Sequence, residues 1–197
     1  MCLRSGRARR RRRKRDLTTN PTGNYLGDYR PISTRPAHVD ERVRVGNWEG
    51  DLITGAGAHT HMITLYERVC RLTHLIALPH GKASRHVVAA LGDWFGTLPP
   101  RRRLTLTWDR GSELAHWSNI DGLFADGIYF ADKHSPWQRG GNEQNNRLIR
   151  FWFPRAHTLA DPTGQRIQKA LHILNNQPRR SLGWLTPNQA YHQHTVQ

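Results

Sequence analysis

"NWEGDLITGAGAHTHMITLYERVCRLTHLIAL", residues 47–78, decides the fold. The segment "NWEGDLITG" (47–55) reads as a strand, and "HTHMITLYER" (59–68) and "RLTHLIAL" (71–78) follow it with turn residues between them. Three strands in hairpin succession are the expected outcome. Side chains alternate between the two faces of a strand, so Asp51 shares a face with Glu49 and Ile53, while Trp48, Gly50 and Leu52 point the other way.

Downstream the periodicity changes. "ASRHVVAALGDWF" (83–95) places Val87, Val88, Leu91 and Phe95 at helical spacing. "RLTLTWD" (103–109) returns to strand, with Leu104, Leu106 and Trp108 on one side. A short helix is expected near 112–124, a fifth strand at "GIYF" (127–130), a helix from Trp137 onward and a last helix over 161–176. An antiparallel trio followed by alternating units predicts an α/β fold with a mixed five-stranded sheet flanked by helices. The folded core, with its C-terminal helix, is expected over 45–192. Residues 1–44, with turn signals in "NPTGNYLGDYRPISTRP" (20–36), read as a basic, largely disordered arm or linker.

Composition narrows the partner. The chain has 197 residues and no run of eighteen apolar ones, which excludes a helical membrane span. Its charged N-terminus lacks the apolar segment of a secretory signal. Cys2 and Cys70 form neither a CxxC pair nor a disulfide framework, so a reducing cytoplasm is the expected setting. Lys and Arg number 30 against 15 acids, a net charge of +15. Residues 1–15 hold nine of those positive charges and no acid, leaving 21 basic residues against the same 15 acids, a net +6. The body is therefore basic without its tail, and a polyanion such as nucleic acid is the expected partner.

Against that charge the few acids stand out. Asp109 ends the fourth strand directly before Arg110 and Gly111. In "SPWQRGGNEQNNRLIRFWFP" (135–154), Arg139, Glu143, Asn146, Arg147 and Arg150 form one helical stripe, with a single acid among cations and amides. If that helix crosses the sheet edge, Asp51, Asp109 and Glu143 converge. Three clustered carboxylates repel one another unless a cation bridges them. Hard divalent ions such as Mg²⁺ prefer a few carboxylates together with water and phosphate oxygens. Two such ions can hold the attacking and leaving oxygens of a phosphoryl displacement. The flanking arginines would then hold neighbouring phosphates. On spacing alone Asp51 and Asp109 also read as solvated strand-end residues.

"WEGDLITG", "LTWDRGSELA" and "SPWQRGGNEQNNRLIRFWFPR" resemble the three acidic motifs of DDE transposases with a retroviral-integrase core, and in detail those of the IS-thirty family of bacterial insertion-sequence transposases. The 33 residues between Asp109 and Glu143 suit that family, and "LNNQPRRSLGWLTPNQAY" resembles its C-terminal signature. The resemblance covers about residues 30–192. It implies a ribonuclease-H-like fold, with Asp51, Asp109 and Glu143 as the catalytic, metal-binding triad for Mg²⁺ or Mn²⁺, held as two ions. It also implies cleavage at element ends, transfer of a 3′-hydroxyl to target DNA and assembly as a homo-oligomer on double-stranded DNA. Arg150 matches a basic position of these enzymes, and Arg139, Arg147, Asn146 and Arg110 are the further DNA-binding candidates. Family members usually begin with a helix-turn-helix region; this chain starts at a point resembling the basic linker after it. A non-catalytic DNA-binding or regulatory fragment is the alternative reading, and a hydrolytic, structure-specific nuclease a third.

Other candidates carry less. Glu49 reads either as support for a metal shell or as a structural carboxylate. His59 and His61 share a strand face but lack a third zinc ligand, so surface imidazoles are expected. Trp48, Trp94 and Trp108 read as core, Trp137 as packing near the helix start, and Ser135 as a helix cap.

Overall fold

A computed structural model describes residues 25–56, 60–133, 135–161 and 164–194. Strands β2 (Asn47–Thr54), β3 (His61–Glu67) and β4 (Thr73–Leu78) run antiparallel in succession. Strands β5 (Thr105–Trp108) and β6 (Gly127–Phe130) extend the sheet in parallel from β2. A two-residue strand, β1 (Arg30–Pro31), pairs with β6, giving the order β1-β6-β5-β2-β3-β4.

The sheet therefore has six strands among the described residues, one more than expected. Two residues offer no alternation to read; side-chain anchors fix β1 instead. Arg30 donates to both Asp121 oxygens at 2.6 and 3.0 Å, and Trp117 Nε1 donates to the Leu26 carbonyl at 2.8 Å. With Leu26 and Val39 buried and a short helix α1 at His38–Glu41, the chain is structured ahead of residue 45. Residues 1–24, which carry the Arg-rich run, lie outside the described residues.

Helix α2 (Ser84–Gly96) covers one face, burying Val87, Val88, Leu91 and Phe95 against Trp48, Leu106, Trp108 and Ile128. A 3-10 turn (Ser112–Leu114) and helix α3 (Ser118–Asp121) complete that layer. On the other face, Ile149 of α4 (Gly140–Trp152) and Leu171 and Leu174 of α5 (Gln165–Asn176) pack on Ile53, Met62 and Leu75. Each large apolar side chain so buried contributes about 1.5–3 kcal/mol. Helix α6 (Pro187–Gln193) was not anticipated; Thr186 accepts the Gln189 amide at 3.1 Å, and Gln189 Oε1 accepts the Thr186 amide at 2.9 Å.

The edge strand β4 is covered rather than left open. Asn175 accepts the Thr73 amide at 2.9 Å and donates to its carbonyl at 2.8 Å, while Thr73 Oγ1 donates to Asn145 Oδ1 at 2.7 Å. Among the described residues no helix is long and apolar enough to cross a membrane.

Gly50 fixes the spacing within the sheet. A Cβ there would lie 2.1 Å from the Trp108 ring, which fills the place of a side chain. Gly50→Ala should destabilise the protein by about 1–3 kcal/mol through overpacking. Urea unfolding should show a lower midpoint at an unchanged slope; an unaltered midpoint would contradict this packing.

Candidate active site

The parallel pairing of β2 and β5 sets Glu49 opposite Thr107. Two residues further in the same register, on the α4-covered face, come Asp51 and Asp109. Asp51 Oδ1 accepts the Leu52 amide and Oδ2 accepts Asn146 Nδ2, both at 2.8 Å. Asp109 Oδ1 accepts the Gly111 amide at 3.0 Å.

Arg139 lies between the two carboxylates. Its Nη1 is 3.9 Å from Asp51 and donates to the Gly50 carbonyl at 2.9 Å; its Nη2 is 3.3 Å from Asp109. The side chain is only 14% exposed, so the guanidinium is a partly desolvated counter-cation for a pair of acids. Burial raises the Asp51 carboxyl above the ordinary aspartate range; Arg139 draws it back down and the Asp109 charge pushes it up.

Glu143 is exposed in the first turn of α4. With Asp51, Asn146, Arg147 and Arg150 it lines an open groove of about 670 Å³. Asp109 lines a separate depression of about 360 Å³ together with Arg110 and Arg139. Asp51 thus shares a groove with Glu143 and a guanidinium with Asp109. Among the described residues no three His, Cys, Asp or Glu side chains stand together as a ready-made metal cluster.

Two devices set α4 over this site. Glu49, 1% exposed, accepts the Asn142 amide at 2.9 Å and the buried Arg68 guanidinium, which in turn donates to Asp40 at 3.0 Å. Glu49 therefore caps the first turn of α4 as a structural carboxylate, and both of its oxygens are occupied. Gly141 lets the helix approach: a Cβ there would lie 2.5 Å from the Tyr66 ring.

The helix begins at Gly140, not at Trp137; residues Pro136–Arg139 form a 3-10 turn, and the Ser135 side chain caps nothing. Gln138 folds back on Asp132 instead, accepting its amide at 2.8 Å and donating to its carboxylate at 3.0 Å. Trp137 is 73% exposed, contrary to the packing role expected of it. His61 is buried and bonded to Thr54 Oγ1 at 3.1 Å, so it is not a surface imidazole; His59 lies outside the described residues.

The cationic candidates separate by what they hold. Arg110 donates to the Ala131 carbonyl at 3.1 Å and to Asp132 at 2.6 Å, and sits 4.8 Å above the Tyr29 ring. Arg150 donates to the Thr54 carbonyl at 3.1 and 3.2 Å and to that of Phe153 at 3.3 Å, tying the end of α4 to the end of β2. Arg139 faces the acids and Asn146 orients Asp51; Arg147 is exposed in the groove. Sequence reasoning missed Glu113, whose carboxylate accepts Trp108 Nε1 at 3.1 Å. Burial, and then the Asp109 charge, raise its pKa. It also missed Arg155 on the groove and Lys133 beside Asp109. A Cβ on Gly111 would lie 2.0 Å from the Glu113 carboxylate, so the glycine leaves room for that acid.

A folded-state pKa raised above the unfolded value means that ionising Asp51 costs native stability as pH rises through that pKa. In chelator, Asp51→Asn should therefore raise the Tm at neutral pH, by about 2–4 °C per kcal/mol relieved. The gap should close as pH falls through the Asp51 titration. A variant less stable at pH 7 than the parent would contradict this.

The sheet order and the helices on both faces define a class of fold, the ribonuclease-H-like fold of integrase cores. The structure matches the crystal structure of the catalytic core domain of BIV integrase with a TM-score of 0.57 at 16% identity, over 77% of this chain and 96% of that one; the likeness is one of fold. No family model matches the chain. The chain is nevertheless similar in sequence to transposases of bacterial insertion sequences. It is 40% identical over 187 residues to the transposase InsI for insertion sequence element IS30A of Escherichia coli (strain K12), covering 95% of this chain and 47% of that protein. It is 35% identical over 188 residues to the transposase for IS1086 of Cupriavidus metallidurans, covering 95% and 54%. It is 31% identical over 162 residues to that for IS4351 of Bacteroides fragilis, covering 82% and 49%. The chain spans about half the length of these relatives.

Proposed function

We propose that this chain is the catalytic core of a DNA transposase, a polynucleotidyl transferase that cleaves at insertion-sequence ends and joins a 3′-hydroxyl to target DNA. The observation that carries the reading is the placement of Asp51 and Asp109 side by side about one guanidinium, with Asp51 and Glu143 on one basic groove.

The donor set fits a hard divalent cation. All its oxygens come from carboxylates, and Asp51 and Asp109 already share a cation, the guanidinium of Arg139. Asp51, Asp109 and Glu143 would hold Mg²⁺ or Mn²⁺, as a pair of ions. When bound, these ions supply Lewis-acid activation of the attacking oxygen and charge neutralisation at the leaving oxygen. Asn146 fixes the orientation of Asp51, and the Leu52 and Gly111 amides hold one oxygen of each aspartate. Arg147 and Arg155, on the groove that Glu143 lines, position the flanking phosphates of the bound strand. Arg150 and Arg110 act one step back, keeping the ends of α4 and β5 in place.

The partner is double-stranded DNA, as element ends and as target, on which copies of the chain assemble. The experiment is a joining assay with purified protein, precut duplex ends and Mg²⁺ or Mn²⁺. Joined strands are expected. Nicks without joined strands would reassign the site to a hydrolytic nuclease, and retarded DNA without either product to a non-catalytic binding fragment.

A further inference from the structure

Helix α4 has a second basic cavity along its other side. Glu143, Asn146, Arg147 and Arg150 line the groove described above, whereas Gln144 and Asn145 line a cavity of about 650 Å³ with Tyr66, Arg71, Arg179 and Arg180. None of the residues lining this cavity is an acid. Three guanidinium groups converge there with no carboxylate between them, unlike Arg139, Arg68 and Arg110, each of which has an acid partner.

Two residues of the cavity wall also keep buried side-chain donors without acceptors. Asn145 is 3% exposed; its Oδ1 is taken by Thr73, but its Nδ2 has no hydrogen-bond partner among the described residues. The same holds for Arg179 Nε, while Arg179 Nη2 reaches only a backbone carbonyl, that of Leu174 at 3.2 Å. Burial lowers the Arg179 pKa; Tyr66 acts against that shift and the charge of Arg71 adds to it. Arg71 itself stands at φ 61°, a left-handed conformation, and donates to Tyr66 Oη at 3.4 Å. A buried unpaired donor costs about 1–3 kcal/mol, and like charges raise that cost. A multidentate oxyanion between the three guanidinium groups would relieve the like-charge repulsion.

We infer that Arg71, Arg179 and Arg180, with Gln144 and Asn145, form a second phosphodiester-binding site, which holds a DNA backbone on the side of α4 opposite the groove that Glu143 lines. The choice of DNA over another anion rests on the proposed transposase reading, because a duplex laid across α4 meets both basic walls. The site is separate from the three acids.

Salt-dependent binding to a labelled duplex tests this. Arg180→Gln should lower the log–log salt slope by about 0.9, the value for one phosphate contact. Gln144→Glu, on the exposed side of α4, should weaken duplex binding without changing the circular dichroism spectrum. Arg85→Gln, an exposed arginine of α2, should leave both readings as in the parent chain. Unchanged slope and affinity in the first two variants would overturn the inference, as would an equal loss in Arg85→Gln. Loss of polyglutamate binding or of thermal protection by inorganic phosphate, with duplex binding intact, would likewise overturn it, in favour of an acidic protein partner or a free anion. Failure of the catalytic reading looks different: absence of joined product in the parent chain with these slopes as expected.

Discussion

Asp109→Asn and Glu143→Gln should each abolish joined product while leaving duplex affinity nearly unchanged. Both substitutions keep shape and remove one negative oxygen donor. Asp109 carries the Gly111 amide and the Arg139 guanidinium, so the asparagine still has partners and the fold is not at risk. Glu143 is exposed and has even less structural consequence. Loss of an electrostatic stabiliser in a preorganised site costs roughly 10²–10³-fold in rate, and loss of a cation ligand should reach at least that range. Single-turnover joining with precut ends reads the rate, and anisotropy on the same ends reads binding. Parent-like joining in either variant would exclude that residue from the reaction.

Glu49→Ala should have the largest effect on stability. It leaves the Arg68 guanidinium, buried beside Val39 and Asp40, without its main partner, and the Asn142 amide without an acceptor. Removing one member of a buried ion pair costs about 3–5 kcal/mol. Glu49→Gln retains an oxygen for the Asn142 amide and should lose less. Urea unfolding measures both, and a cost below about 1 kcal/mol for the alanine variant would contradict the reading of Glu49 as a staple. Because α4 carries Glu143 one residue after that capped amide, the same variant should lose joining activity beyond what unfolding explains.

The strands and their faces were legible because burial acts on every second residue. Trp48, Leu106 and Trp108 lie on one side, and Asp51 falls on the other with Glu49 and Ile53, as their alternation required. The helix of residues 84–96 was legible for the same reason at its own period. Elements held by specific bonds were not. The strand Arg30–Pro31 depends on an ion pair ninety-one residues away, and the start of α4 depends on a carboxylate from β2. Helix α6 did have a local signature, Thr-Pro-x-Gln, a capping box that was passed over. At the site, residue types and positions pointed to the three acids, but sequence could not tell an arginine aimed at phosphate from one tied to a carbonyl. Arg110 and Arg150 are tied, while Arg147 and Arg155 line the groove.

In the proposed function Asp51 and Asp109, one guanidinium apart, jointly hold a divalent cation with Glu143 supplied from α4. Anomalous diffraction from crystals soaked in Mn²⁺ with a bound DNA end measures this directly. A peak at Asp51 and Asp109, with the Arg139 guanidinium moved off them, is the expected result. Mn²⁺ bound elsewhere, with Arg139 still between Asp51 and Asp109, would contradict it.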